Sequence, residues 1–203
     1  MDKDFLLKTY GQCYDSEAGP WNLSVENKYL EYMFARFFEE HFRIEEKTDI
    51  CNIGIGAGYW DRYLSYKLKR GTLTCVDRDP IICRQLSEGL ENEHNPNSVK
   101  VVCCDIMKYE PETLFDLVTV IGSTRQESGH YEEFLKKTFT LIKPGGRLYY
   151  QTLDPLEDEA AFRELVKTNH LTIQAFLKDE SYGFTARYWS ISKERKPRYS
   201  NSL

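Results

Sequence analysis

The run Cys51-Asn52-Ile53-Gly54-Ile55-Gly56-Ala57-Gly58 places glycines at alternate positions between an apolar stretch and a helix-forming one. Glycine adopts positive φ without a Cβ penalty and lets a ligand approach the backbone, while the free N–H groups of a following helix face any anion seated there. Taken alone, such a loop also reads as a tight strand-to-helix turn. Two carboxylates sharpen it. Asp77 closes the next apolar run, and an acid at such a strand tip accepts both hydroxyls of a ribose. Asp105, followed by Ile106, closes the third, placed to receive an adenine amino group. Each acid by itself fits a solvated loop. Ligand-competent groups at three successive strand tips point instead to one crevice beyond the carboxyl ends of the strands.

The glycine spacing argues against a dinucleotide. A pyrophosphate-binding turn reads Gly-x-Gly-x-x-Gly, but Tyr59 stands where the third glycine would fall from Gly54, and Asp61 where it would fall from Gly56. A nicotinamide oxidoreductase is disfavoured accordingly.

An alternation of strands and helices must position these groups. A helical lead-in over residues 1–45 comes first, with Leu30, Met33, Phe34, Phe37 and Phe38 on one face and Ser24 as its cap. From about residue 48 the pattern predicts strands at Asp49–Ile53, Thr72–Val76, Val99–Cys103, Leu117–Ile121 and Arg147–Thr152. Helices are expected at Trp60–Leu68, from Asp79-Pro80 onward, and at Tyr131–Leu141, with a further one near Glu157–Thr168. Lys143-Pro-Gly-Gly146 is read as the turn into the fifth strand. Two last strands, near Leu171–Phe176 and Phe184–Ser192, are joined by too few residues for a crossover helix, so they should pair antiparallel. The expected fold is α/β: a doubly wound, mostly parallel seven-stranded sheet with an antiparallel C-terminal hairpin, over residues 46–203 as one globular unit.

Composition narrows the setting. The net charge is −5, which gives no general attraction to nucleic acid or to an anionic membrane. No apolar run approaches the ~20 residues that cross a bilayer, and the acidic start of the chain is unlike a secretory leader, so a cytoplasmic protein is expected. None of the six cysteines falls in a zinc-ligand spacing. Cys51, Cys75, Cys103 and Cys104 lie in β-prone runs and read as small buried hydrophobes.

Taken together, these motifs resemble class I S-adenosylmethionine-dependent methyltransferases, whose domain is Rossmann-like. The Gly54–Gly58 loop is similar to their first motif, whose backbone holds the methionine part of the cofactor. Asp77 matches the ribose acid with Arg78 beside it near the adenine, and Asp105 with Ile106 matches the adenine-edge pair. Phe115-Asp-Leu-Val118 resembles the family's fourth strand, ending at Ile121 and Gly122, and Leu141-Ile-Lys-Pro-Gly-Gly-Arg-Leu148 resembles its turn into the fifth. The likeness covers residues 48–153 by motif and residues 154–193 by topology. One departure is Asn52, which occupies a position where the family often has an acid; its amide remains able to bond the cofactor's ammonium or a nearby water. The fourth strand runs into Gly-Ser-Thr-Arg125 rather than the Asn/Asp-Pro-Pro-Tyr/Phe signature of enzymes that methylate base or glutamine amino groups, and it lacks the acid of the metal-dependent catechol type.

The resemblance implies metal-independent methyl transfer from S-adenosylmethionine, with S-adenosylhomocysteine as product and a small molecule as acceptor. In such a reaction the protein chiefly orients a nucleophile against the methyl group. Glu127 and His130 follow the fourth strand and are candidate bases, though an exposed loop or helix-start place is the commoner reading for either. Arg125 either binds a substrate carboxylate or caps a helix, and Tyr10, Tyr14 and Trp21 either form a lid or pack in the core. The acceptor pocket is expected between the lead-in and the Ser123–His130 loop, completed by a second subunit if the chain forms a homodimer. Two alternatives stand beside this reading: a non-catalytic module that keeps the cofactor fold as a scaffold, and transfer of an aminopropyl group.

Overall fold

The computed structural model describes residues 24–122, 129–181 and 183–195. Helix α1 (Val25–His41) leads into β1 (Ile50–Ile53), α2 (Tyr59–Lys67), β2 (Thr72–Asp77), α3 (Pro80–Asn92) and β3 (Ser98–Cys103). After a short 3-10 turn at Ile106–Lys108 come β4 (Phe115–Ile121), α4 (Tyr131–Thr140), β5 (Ile142–Thr152), α5 (Glu159–Thr168), β6 (Leu171–Asp179) and β7 (Ala186–Lys193). The strands form one seven-stranded sheet in the order β3-β2-β1-β4-β5-β7-β6. Pairings from β3 through β5 are parallel, while β7 runs antiparallel between β5 and β6. The expected architecture is present, and the strand order reverses between β1 and β4, where open parallel sheets leave a crevice.

Alternate residues of the strands feed two cores. One face packs Leu30, Phe37 and Phe38 of α1 with Trp60 and Leu64 of α2 and Leu86 of α3, around Ile50, Leu73 and Tyr149. The other packs Phe134, Leu135 and Phe139 of α4 with Phe162 and Val166 of α5, around Val118, Leu148 and Trp189. Helix starts follow local chemistry. Ser24 Oγ accepts the Asn27 N–H at 3.1 Å, Asp79 accepts Ile81 N–H at 2.8 Å ahead of Pro80, and Asp158 accepts Ala160 N–H at 2.9 Å.

Helix α1 is tied to the sheet at its middle and at its C-terminal end. The buried Tyr149 hydroxyl donates to Phe34 O at 2.9 Å, and Arg147 Nη1 donates to His41 O at 2.6 Å. Burial pushes the Tyr149 phenol well above its ordinary pKa, so it holds this bond as a neutral donor.

Three sequence expectations change. Lys143-Pro-Gly-Gly146 lies inside β5 rather than ahead of it: Phe115 pairs with Ile142 and Leu117 with Arg147, so the extra residues form a bulge. Gly145 takes φ 83°, and a Cβ on Gly146 would lie 2.9 Å from Lys143 O and 3.0 Å from Asp116 O, which explains both glycines. Cys103 is exposed and Cys104 half-buried, because β3 is an edge strand covered less fully than its neighbours; only Cys51 and Cys75 of that group are buried. Strand β6 runs on to Asp179, past the end expected for it. Tyr10, Tyr14, Trp21, Arg125 and Glu127 lie outside the described residues. Among the described residues no helix is long and apolar enough to cross a membrane.

Candidate cofactor site

A cavity of about 520 Å³ opens at the carboxyl ends of β1, β2 and β4, within the range of small-molecule sites. Of the residues marked by sequence, Gly54, Gly56, Asp77, Arg78, Asp105, Ile106, Ile121 and Gly122 line it. Each comes from the tip of a strand or from the loop just past it, which is why positions distant in sequence converge.

The glycine loop is shaped by its backbone. Gly54, Gly56 and Gly58 have φ of 83°, 55° and 73°, a region costly for residues with a Cβ. Gly54 N–H donates to Val76 O at 2.9 Å and Gly58 N–H to Ile55 O at 2.9 Å, folding the loop back over β2. No atom lies within 4 Å of a Cβ built on Gly56 or Gly122, so at both places the backbone faces open cavity. Gly58 does a different task. It starts α2 without lining the cavity, and a Cβ there would meet Leu86 Cδ1 at 3.2 Å.

Asp77 ties the walls together. Its Oδ2 accepts Ile55 N–H at 2.8 Å and its Oδ1 accepts Asp79 N–H at 2.9 Å. A carboxylate offers about four lone-pair positions, so these two bonds leave capacity for two hydroxyls of a ligand. Asp105 caps the 3-10 turn through Met107 N–H at 2.9 Å, which fixes its carboxylate on the rim. Across the cavity, buried Gln151 accepts Gly122 N–H through Oε1 at 2.8 Å. Gln151, and Asn27, Glu31 and Phe34 of α1, are lining residues that the sequence reading did not single out. Their signal was hidden: α1 repeats as a core stripe, and Gln151 alternates within an otherwise apolar strand.

Asn52 is 1% exposed and does not line the cavity. Its Nδ2 donates to Gly54 O at 3.0 Å and to Asp61 Oδ1 at 2.8 Å, while its Oδ1 accepts the Thr119 hydroxyl at 2.7 Å. It braces the loop from behind. His130 precedes α4 on the exposed surface and is not among the lining residues. Among the described residues no three His, Cys, Asp or Glu side chains form a metal-holding group.

An adenosine joined to an amino acid fits these groups: open glycine backbone over β1, a carboxylate at β2, and an acid–isoleucine pair at β3. Residues 50–146 match the family model described as a methyltransferase domain. Within residues 50–146 the chain therefore resembles a methyltransferase domain. The chain is 24% identical over 155 residues to a malonyl-acyl-carrier-protein O-methyltransferase of Priestia megaterium, covering 75% of the chain and 52% of that relative. It thus spans about half the length of the curated relative it matches. The magnesium protoporphyrin IX methyltransferase ChlM of Synechocystis, solved with S-adenosylhomocysteine, superposes with a TM-score of 0.68 at 11% identity over 95% of each chain. The (4+2)-cyclase SpnF superposes with a TM-score of 0.69 at 11% identity, covering 81% of each chain. At such identities the structural likeness speaks for the fold alone, and that fold serves more than one reaction.

Proposed function

We propose that this chain binds S-adenosylmethionine in the β1–β2–β4 cavity and transfers its methyl group to a small-molecule acceptor without a metal ion. The observation that carries the reading is convergence: open glycine backbone at Gly54 and Gly56, the Asp77 carboxylate and the Asp105–Ile106 pair border one cavity. When bound, S-adenosylmethionine supplies a methyl group activated on a sulfonium, with S-adenosylhomocysteine as leaving product. The residues do the positioning. Asp77 receives the ribose hydroxyls, Asp105 and Ile106 hold the adenine edge with Arg78 beside them, and the Gly54–Gly56 backbone takes the amino-acid end. The Gly122 turn, fixed by Gln151, and Phe34 of α1 border the same cavity and limit where a nucleophile can approach. Orientation of this kind is worth up to about 7–11 kcal/mol in effective concentration.

Two features favour a small acceptor. The net charge of −5 offers no general attraction to polyanions, and the connection from β5 to α5, residues 153–158, carries no inserted substrate-binding element. Incubation of the purified chain with methyl-tritiated cofactor and a cell extract split by size tests this, in buffer containing EDTA. Label should pass into the low-molecular-weight fraction and be lost in Asp77→Ala. Label confined to protein or nucleic acid would refute the acceptor class. Dependence on an added divalent ion would refute metal independence, and tight cofactor binding without transfer to any fraction would favour the scaffold reading.

A further inference from the structure

Asp61 is fully buried in α2, one turn behind the glycine loop, and it is outside the set that lines the cavity. Its Oδ1 accepts from Asn52 Nδ2 at 2.8 Å, and the Cys75 thiol is its other neighbour. Buried carboxylates are rare unless something holds them. Here the environment gives no cation: Arg62, next along the helix, is paired with Glu93 at 2.9 Å. The groups facing Asp61 from the adjoining strands are Cys51 of β1, Cys75 of β2 and, further off, Asp77 at the tip of β2.

A side-chain amide has two near-equivalent orientations, and what lies on each side decides between them. A carboxylate at position 61 only accepts, so it demands the N–H₂ end of Asn52 and sends the carbonyl end to the Thr119 hydroxyl. The same N–H₂ then reaches Gly54 O at 3.0 Å. Turned over, Asn52 would set two oxygens against each other at Gly54. A protonated Asp61 still accepts from Asn52, but without the charge that makes this hydrogen bond strong, so its hold on the amide weakens.

We infer that Asp61 is a positioning residue for the cofactor, its carboxylate fixing Asn52 and so locking the Gly54–Gly58 loop in the binding conformation. This inference rests on the cofactor site proposed above. Because burial pushes the Asp61 carboxyl up to about 6, the lock loosens as pH falls through that value. The raised value also fixes the sign for stability. The stability gained from neutral Asp61 is fully present below the ordinary carboxylate range and is lost as pH rises through about 6. At pH 8 the charge is therefore retained against the interest of the fold, and removing it should separate stability from affinity.

Titration of S-adenosylhomocysteine into the chain between pH 5 and pH 8 tests this, alongside amide hydrogen exchange of the ligand-free protein at Gly54 and Gly58. Affinity should rise roughly tenfold across that interval, one unit of coupling, and exchange at both glycines should be protected at pH 8 and less so at pH 5 after correction for intrinsic rates. Asp61→Asn should bind with no inflection near pH 6 while melting no lower than the parent at pH 8. An inflection that persists in Asp61→Asn, or a parent that binds equally at both ends with unchanged exchange, would overturn the inference. If the ligand never binds but loop exchange still follows pH through about 6, the positioning role stands and the cofactor assignment falls. The exchange arm uses only the unmodified chain, so a variant that fails to fold leaves the test intact.

Discussion

Asp77→Ala should lose S-adenosylmethionine affinity by at least about a hundredfold while leaving the chain folded. Two hydrogen bonds from ribose hydroxyls to a charged acceptor contribute about 1.5–3 kcal/mol each, and each 1.4 kcal/mol is tenfold. The truncation also frees Ile55 N–H and Asp79 N–H from their acceptor, so the loop slackens as the ribose contact vanishes. The fold should survive, since Asp77 is half-buried and α3 keeps its own cap through Asp79 and Ile81. Asp77→Asn should fall between the two, because one oxygen remains as acceptor while the new N–H₂ must face a backbone donor. Calorimetric titration of both variants, with circular dichroism as the check on folding, reads this. Unchanged affinity in Asp77→Ala would mean that the ribose lies elsewhere.

Phe37→Ala should cost the largest share of stability of any single change considered, about 3–5 kcal/mol for a buried aromatic truncated to alanine. Phe37 is 2% exposed and stacks on Tyr149 with centroids 5.6 Å apart, with Tyr188 at 5.7 Å and His41 at 4.4 Å completing its surroundings. The cavity left behind lies between α1 and the sheet, where the neighbouring helices are themselves pinned and close it poorly. For a chain of this size the melting temperature should fall by roughly 8–15 °C. Phe34, on the same helix, lines the cofactor cavity, so affinity should weaken too, by less than in Asp77→Ala. Thermal unfolding with and without S-adenosylhomocysteine separates the two effects. A loss below about 1 kcal/mol would show that α1 is a loosely docked lid rather than part of the core.

What the sequence made legible follows from what it encodes locally. Alternating glycines, an acid at the end of each apolar run and an Asp-Pro helix start are short-range signals, and the sheet order brings their bearers to one cavity. Asn52 was legible as part of the motif but not in its task, since whether a strand residue faces ligand or core depends on the helix behind it. Asp61 gave no signal of its burial: an acid in the first turn of a helix ordinarily lies in water and favours the helix dipole. Its partner Asn52 comes from β1 and is bonded in turn to Thr119 of β4. Lys143-Pro-Gly-Gly146 looked like a turn because proline and glycines usually make one, yet pairing with Phe115 and Leu117 continues on both sides of it. The exposure of Cys103 was set by the place of β3 at the sheet edge, a property of topology rather than of its own residues.

The most direct test of the account is calorimetric titration of the unmodified chain, freed of any carried-over ligand, with S-adenosylhomocysteine near pH 8. Saturable binding in the micromolar range at one site per chain is expected, with a matching rise in melting temperature. Absence of both heat and thermal shift in well-folded protein would contradict the cofactor assignment on which the proposed reaction depends.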